Sequence, residues 1–145
     1  MRIWVASWLF WALLSAIFAA LTAIFAKVGV ENINSDLATL IRTLIVAAIL
    51  AIILAATRQY QPLASISIRT YAFLALSGLA TGASWLCYFR ALKLGDAARV
   101  APIDKLSVVL VAIFGVTFLS ERLTAANWLG ILLIGGGALL VAYKG

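Results

Sequence analysis

Five charged residues stand inside or at the edge of long apolar runs, and they bound the chemistry open to this chain. Lys27 ends the first run, Arg42 lies within the second, Arg90 ends the third, and Asp104 with Lys105 opens the fourth just after Pro102. Charge is costly in an apolar setting, so such positions mark where a ligand, an ion partner or a membrane boundary must stabilise it. Lys and Arg stems are long enough to carry their charge back to the interface. Asp104 is too short for that, but a carboxylate in a first helical turn is favoured by the helix dipole. Taken together, Asp104, Lys105, Arg42 and Lys27 set one acid against three bases, with Asp104 expected to pair with Lys105, Arg42 or Lys27. That excess suits a substrate carrying a carboxylate, a phosphate or another anion, or a zwitterion whose amine meets Asp104. Ser107, one turn beyond Asp104, adds a hydroxyl, and Trp85 and Tyr88 in the third run add aromatic and hydroxyl contacts.

Other chemistries lack their residues. The chain has no His, its one cysteine, Cys87, has no partner base, and its five acids show no paired arrangement for metal binding or acid–base work. No nucleotide-binding motif is present, so neither an enzyme nor a cofactor or metal site is expected. A net charge of +6 would point to nucleic acid in a soluble protein. Here the basic residues are scattered over short connections, where they meet anionic lipid headgroups, and no nucleic-acid partner is expected.

The elements that must position these residues are the apolar runs themselves. They read Ile3–Ala26, Leu37–Ala56, Tyr71–Phe89, Ala101–Leu119 and Ala126–Tyr143, in a chain that is 66% hydrophobic with mean hydropathy +1.14. About 20 apolar residues at about 1.5 Å rise match the roughly 30 Å hydrocarbon core of a bilayer. Only structures that satisfy their own backbone hydrogen bonds can cross it, so the runs are helices. The expected fold is an all-α membrane protein of five transmembrane helices forming one domain over 1–145. The first run is longer than a signal-peptide core and is read as a retained helix. Ser35 or Asp36 is expected to cap the second helix and Thr124 the fifth. Gly95-Asp96 marks a turn, and Pro102 is placed at the start of the fourth helix, where its missing N–H costs nothing.

An odd number of spans puts the termini on opposite sides of the membrane. Counting loop charges outside the spans leaves Arg2, Arg58, Arg69 and Arg122 on one side and Arg90, Lys93, Arg99 and Lys144 on the other. With the two sides even, the positive-inside rule assigns no orientation. Such a balance is what a chain inserting in both orientations would show. Small residues let membrane helices approach. Gly78 and Gly82 form one such pair, and Gly130, Ile134, Gly137, Val141 and Lys144 form a heptad-like seam suited to a homodimer contact. On the first helix Trp4, Trp8, Trp11, Ser15, Phe18, Thr22 and Phe25 share a face. Trp4 and Trp8 suit interfacial anchors, while Trp11, Ser15 and Phe18 lie deeper, as core or as the lining of a cavity.

Several stretches carry a family resemblance. Pro102-Ile-Asp-Lys-Leu-Ser-Val-Val-Leu, Phe118-Leu-Ser-Glu-Arg-Leu-Thr and Trp128-Leu-Gly-Ile-Leu-Leu-Ile-Gly-Gly-Gly, with Tyr88-Phe-Arg-Ala-Leu, Lys27 and Arg42, resemble the EamA domain of the drug/metabolite transporter superfamily. Most members are similar to two such domains fused in inverted orientation. This chain is most similar to the single-domain, five-helix bacterial and archaeal branch, half of a ten-helix inverted repeat. The resemblance implies a secondary transporter or exporter of small metabolites or drugs in the bacterial or archaeal plasma (inner) membrane. It further implies a homodimer, with an antiparallel pairing set against a parallel one or another half-length partner, and alternating access around a central cavity. A non-transporting scaffold or lipid-contacting subunit is the alternative. Small four-helix relatives carry an essential glutamate in their first helix, whereas this first run has no acid.

Overall fold

A computed structural model describes residues 7–143, so the expectations placed on Arg2, Trp4 and Lys144 lie outside the described residues. Those residues form six α-helices: α1 (Trp8–Val30), α2 (Ser35–Thr57), α3 (Ile68–Leu94), α4 (Ala97–Asp104), α5 (Ser107–Phe118) and α6 (Ala125–Ala142). A single 3₁₀ turn, Leu63–Ser65, lies between α2 and α3. Five stretches are long and apolar enough to cross a membrane, with α4 and α5 together making the fourth, Ala97–Phe118. The chain is an integral membrane protein, all-helical across the described residues. The shortest span, 18 residues, extends about 27 Å at 1.5 Å per residue.

The helix ends show local chemistry at work. Asn34 caps α2, its side-chain oxygen accepting from the backbone N–H of Asp36 at 2.8 Å and of Leu37 at 3.2 Å. The expected caps Ser35 and Asp36 are instead the first residues of that helix, because Asn34 is the residue in the extended conformation that capping needs. Thr124 caps α6 as expected and forms a reciprocal box with Asn127. At the end of α2, Arg58 adopts a left-handed conformation and its N–H closes on Ala55 O.

The fourth span departs most from expectation. It begins at Ala97 behind Asp96, so Pro102 is interior to α4. There its ring removes the N–H that would bond the carbonyl one turn back. The helix ends two residues later. Leu106 N–H bonds Ile103 O, and Val108 N–H bonds Lys105 O, both at 3.0 Å. These three-residue closures wind the backbone tightly before α5 resumes. Asp104 therefore closes a helix instead of opening one, so the expected gain from a first-turn carboxylate is not realised.

The described residues group into two compact units, one running to Ile24 and resuming at Leu94, the other Phe25–Lys93. In the first, α6 packs against both α4 and α5. Gly135 is buried there, and a Cβ at that position would stand 3.2 Å from Val109 Cγ2. With Ala138 also buried, the small residues on this face of α6 bring the helices together without polar contacts. In the second unit, Val30 and Leu92 are fully buried and Phe89 nearly so, beside the small residues Ala26, Ala38, Ser35 and Thr39. The Thr39 hydroxyl donates to Ser35 O at 2.8 Å within its own helix, so it is satisfied where water is scarce. Elsewhere the spans present large apolar side chains outward, Leu44, Ile52, Leu79, Leu132 and Leu140 among them, as a lipid solvent requires.

Candidate functional site

The densest polar chemistry lies in the unit Phe25–Lys93, where the end of α1, the start of α2 and the end of α3 carry four cations. Lys27 is half-buried, and its Nζ donates to Leu92 O at 2.7 Å. That carbonyl belongs to the last turn of α3, where orphan carbonyls and the negative end of the helix dipole favour a cation. Lys93 Nζ donates to Ile33 O in the α1–α2 connection. Arg90 meets Asp36 with both arms, Nε to Oδ1 at 3.1 Å and a terminal nitrogen to Oδ2 at 2.8 Å. This forked pairing fixes the end of α3 to the first turn of α2.

Arg42 behaves differently. It lies on α2, half-buried, with its guanidinium carbon 3.8 Å from the centroid of the Trp85 indole and 5.7 Å from that of Phe89. Trp85 and Phe89 are one turn apart on α3, so one face of that helix supplies an aromatic shelf for the cation. Tyr88, also half-buried, is on the same turn. Among the described residues Arg42 has no carboxylate partner, and its contacts are aromatic.

In the other unit Asp104 and Lys105 form an ion pair at 3.1 Å. Of the partners expected for Asp104, the structure selects its neighbour, and Lys105 also offsets a carboxylate placed at the negative end of α4. Ser107 is the exposed first residue of α5. Trp11, Ser15 and Phe18 on α1 are exposed, and Trp11 makes an edge-on contact with Phe10 at 5.4 Å between ring centroids. On α6, Ile134, Gly137 and Val141 are exposed and Gly130 is half-buried. A Cβ on Gly130 or Gly137 would meet nothing within 4 Å. This seam is about a quarter-turn round the helix from the buried Gly135 and Ala138, at about 100° per residue. Gly78 and Gly82 likewise have nothing within 4 Å of an added Cβ among the described residues.

Sequence reasoning placed Arg42, Trp85 and Tyr88 among the site residues and the structure brings Arg42 onto Trp85. It missed the Asp36–Arg90 fork and the Lys93 bond to the α1–α2 connection. Asp36 had a local explanation as a helix cap, which concealed its long-range one. The available signal was an acid at the start of one span and a base at the end of the next, a spacing that puts both on one side of a membrane.

Comparison with known proteins agrees with this architecture. Residues 6–143 match the EamA-like transporter family. A Sinorhizobium sp. protein named "Uncharacterized transporter in cobO 3'region" is 70% identical over 136 residues, which cover 94% of this chain and 96% of that protein. No solved structure matches the sequence.

Proposed function

Since the chain belongs to the EamA-like transporter family, with its match covering residues 6–143, we propose that it is a secondary transporter or exporter of small metabolites or drugs that acts as a homodimer. Family membership and the transporter name of a 70% identical relative point to transport rather than enzymatic work. The observation that carries the dimer is the odd count of five spans in one copy. A transporter that alternates access around a central site needs two inversely related halves, and five spans supply one half. A second copy inserted the other way up completes it, with the two-fold axis in the membrane plane.

Further features support this reading. The even balance of loop charges suits insertion in both orientations. The seam of Gly130, Ile134, Gly137 and Val141 offers a small-residue surface where a Cβ on either glycine would meet nothing within 4 Å among the described residues. Trp11, Ser15 and Phe18, exposed in one copy, are positioned to line a cavity closed by the second. Asp104, Lys105 and Ser107 in one unit, and the Arg42–Trp85–Tyr88 group in the other, are each candidates for polar contact with substrate. Gradients drive the movement, and the site is the bacterial or archaeal inner membrane.

The test is flux in liposomes holding the purified protein, against a panel of amino acids, cationic drugs and organic anions, alongside C-terminal reporters active on each side of the membrane. Saturable flux of at least one compound and signal from both reporters are expected, with two lysines added beside Arg2 shifting the population toward N-terminus inside. No flux from a folded dimer defeats the transporter reading in favour of a scaffold. A single orientation in the unmodified chain defeats the antiparallel dimer.

A further inference from the structure

Of the basic residues in the unit Phe25–Lys93, four stand toward the C-terminal ends of α1 and α3 and in the first third of α2, and three of these four are committed to protein acceptors. Lys27 holds Leu92 O, Lys93 holds Ile33 O, and Arg90 holds both oxygens of Asp36. Arg42 is the exception. Its charge lies in the second span, half-buried, on the face of Trp85 at 3.8 Å. A guanidinium carbon this close leaves no room for a single C–N bond pointed straight at the ring, since that nitrogen would fall inside van der Waals contact. The guanidinium is therefore held on the face of the indole, in cation–π contact.

The aromatic contact, with Tyr88 interacting electrostatically nearby, satisfies the charge in part and gives the guanidinium no hydrogen-bond acceptor among the described residues. Unmet donors are costly in a membrane-spanning segment. We propose that Arg42, held against Trp85, is the receptor for a carboxylate on the transported compound, which makes the substrate an organic anion or an amino-acid-like zwitterion. The inference rests on the transporter reading and adds to it the class of substrate. Two features favour a carboxylate. The edge of a planar guanidinium matches a planar carboxylate with two parallel hydrogen bonds. The site also offers one uncommitted positive charge, matching a monoanion, because its three neighbouring cations are occupied. A lipid phosphodiester carries the same single charge and is the competing source of the same oxyanion chemistry.

The experiment uses the full chain in phosphatidylcholine nanodiscs, with benzoate as the probe and benzamide as the isosteric neutral control. Binding is read by calorimetry and by quenching of tryptophan fluorescence, with Trp85→Phe identifying the reporting ring. Benzoate is expected to bind and benzamide not. Arg42→Gln should weaken benzoate by about tenfold or more, the loss typical of charge-assisted hydrogen bonds. Arg42→Lys keeps the charge but loses the fork, and should fall between; it carries the test if Arg42→Gln does not fold. Trp85→Leu, which removes the shelf, should weaken binding several-fold. Equal benzoate affinity in the parent and Arg42→Lys overturns the forked receptor, and benzamide binding as tightly as benzoate overturns the anion assignment. Repeating the titration with phosphatidylglycerol in the nanodisc separates the sources: benzoate binding should persist, and its Arg42-dependent displacement by that lipid overturns the substrate assignment. Flux distinguishes this inference from the one beneath it. Arg42-dependent benzoate binding without flux of any compound defeats the transporter reading and leaves the oxyanion site. Flux of a cationic drug indifferent to Arg42→Lys, with no anion flux, does the reverse.

Discussion

The two units of this chain hold their helices by opposite means. Where α6 meets α4 and α5, side chains are small: a Cβ on Gly135 would press on Val109 at 3.2 Å, and Ala138 is buried beside it. Where α1, α2 and α3 meet in Phe25–Lys93, long side chains reach instead, through Lys27 to Leu92 O, Arg90 to Asp36 and Lys93 to Ile33 O. Close packing tolerates no addition but is indifferent to salt. Reaching contacts are adjustable and electrostatic, and they can be made or broken without moving a backbone. A unit built by reach is also one that can present an unspent cation, as Arg42 does.

Substitutions on the two sides should sharpen that contrast. The largest effect is expected at Gly135→Leu. Its added atoms must displace Val109 and Leu106, at a cost of about 1–3 kcal/mol by analogy with overpacked cores, seen as a lower midpoint in a detergent-unfolding titration. A midpoint equal to the parent's would mean that α6 is not held by close approach. Next is Thr124→Ala, which deletes the capping box at the start of α6 and should cost about 1 kcal/mol in the same titration, unchanged by added salt. Asp36→Asn comes third. Both members of its pair are about half exposed, with side-chain exposures of 47% for Asp36 and 59% for Arg90, so the stability change should be smaller than for Thr124→Ala and should vanish at high salt. If instead Asp36→Asn exceeds Gly135→Leu, the contrast between the two units is inverted. The smallest effect on unfolding is expected for Gly137→Leu, since nothing lies within 4 Å of that position. Its consequence should appear only between copies, as a sharp fall in crosslinking of cysteines placed along α6. Undiminished crosslinking would move the seam elsewhere, with the equally open Gly78 and Gly82 face next.

Much of the fold was readable because lipid imposes a one-dimensional rule. A span must be apolar for about 20 residues and must be helical, so the five segments can be read from composition along the chain. Termini were readable where their chemistry is local, as at Thr124 with Asn127 three residues on. Asn34 shows the limit of that approach: Asn34, Ser35 and Asp36 are all good capping residues, and the backbone conformation chose among them. Pro102 was misplaced for a related reason. Its position is harmless at a helix start and disruptive in an interior, and the start at Ala97 made it interior.

The sequence by itself therefore determined the number of spans, their helicity, the family and the residue types available at each end. Only the tertiary structure decided which of them meet. Asp36 and Arg90 lie 54 residues apart, and Arg42 reaches Trp85 across two different helices. Such pairings depend on how each helix is rotated about its axis. In water that rotation is announced by an apolar stripe facing the core. In a membrane the solvent is as apolar as the core, so the pattern along the chain carries little record of which face turns inward. Buried Gly135 and exposed Gly137 are two residues apart in one glycine run, and it is the rotation of α6 against Val109 that makes one a packing contact and leaves the other open to a partner.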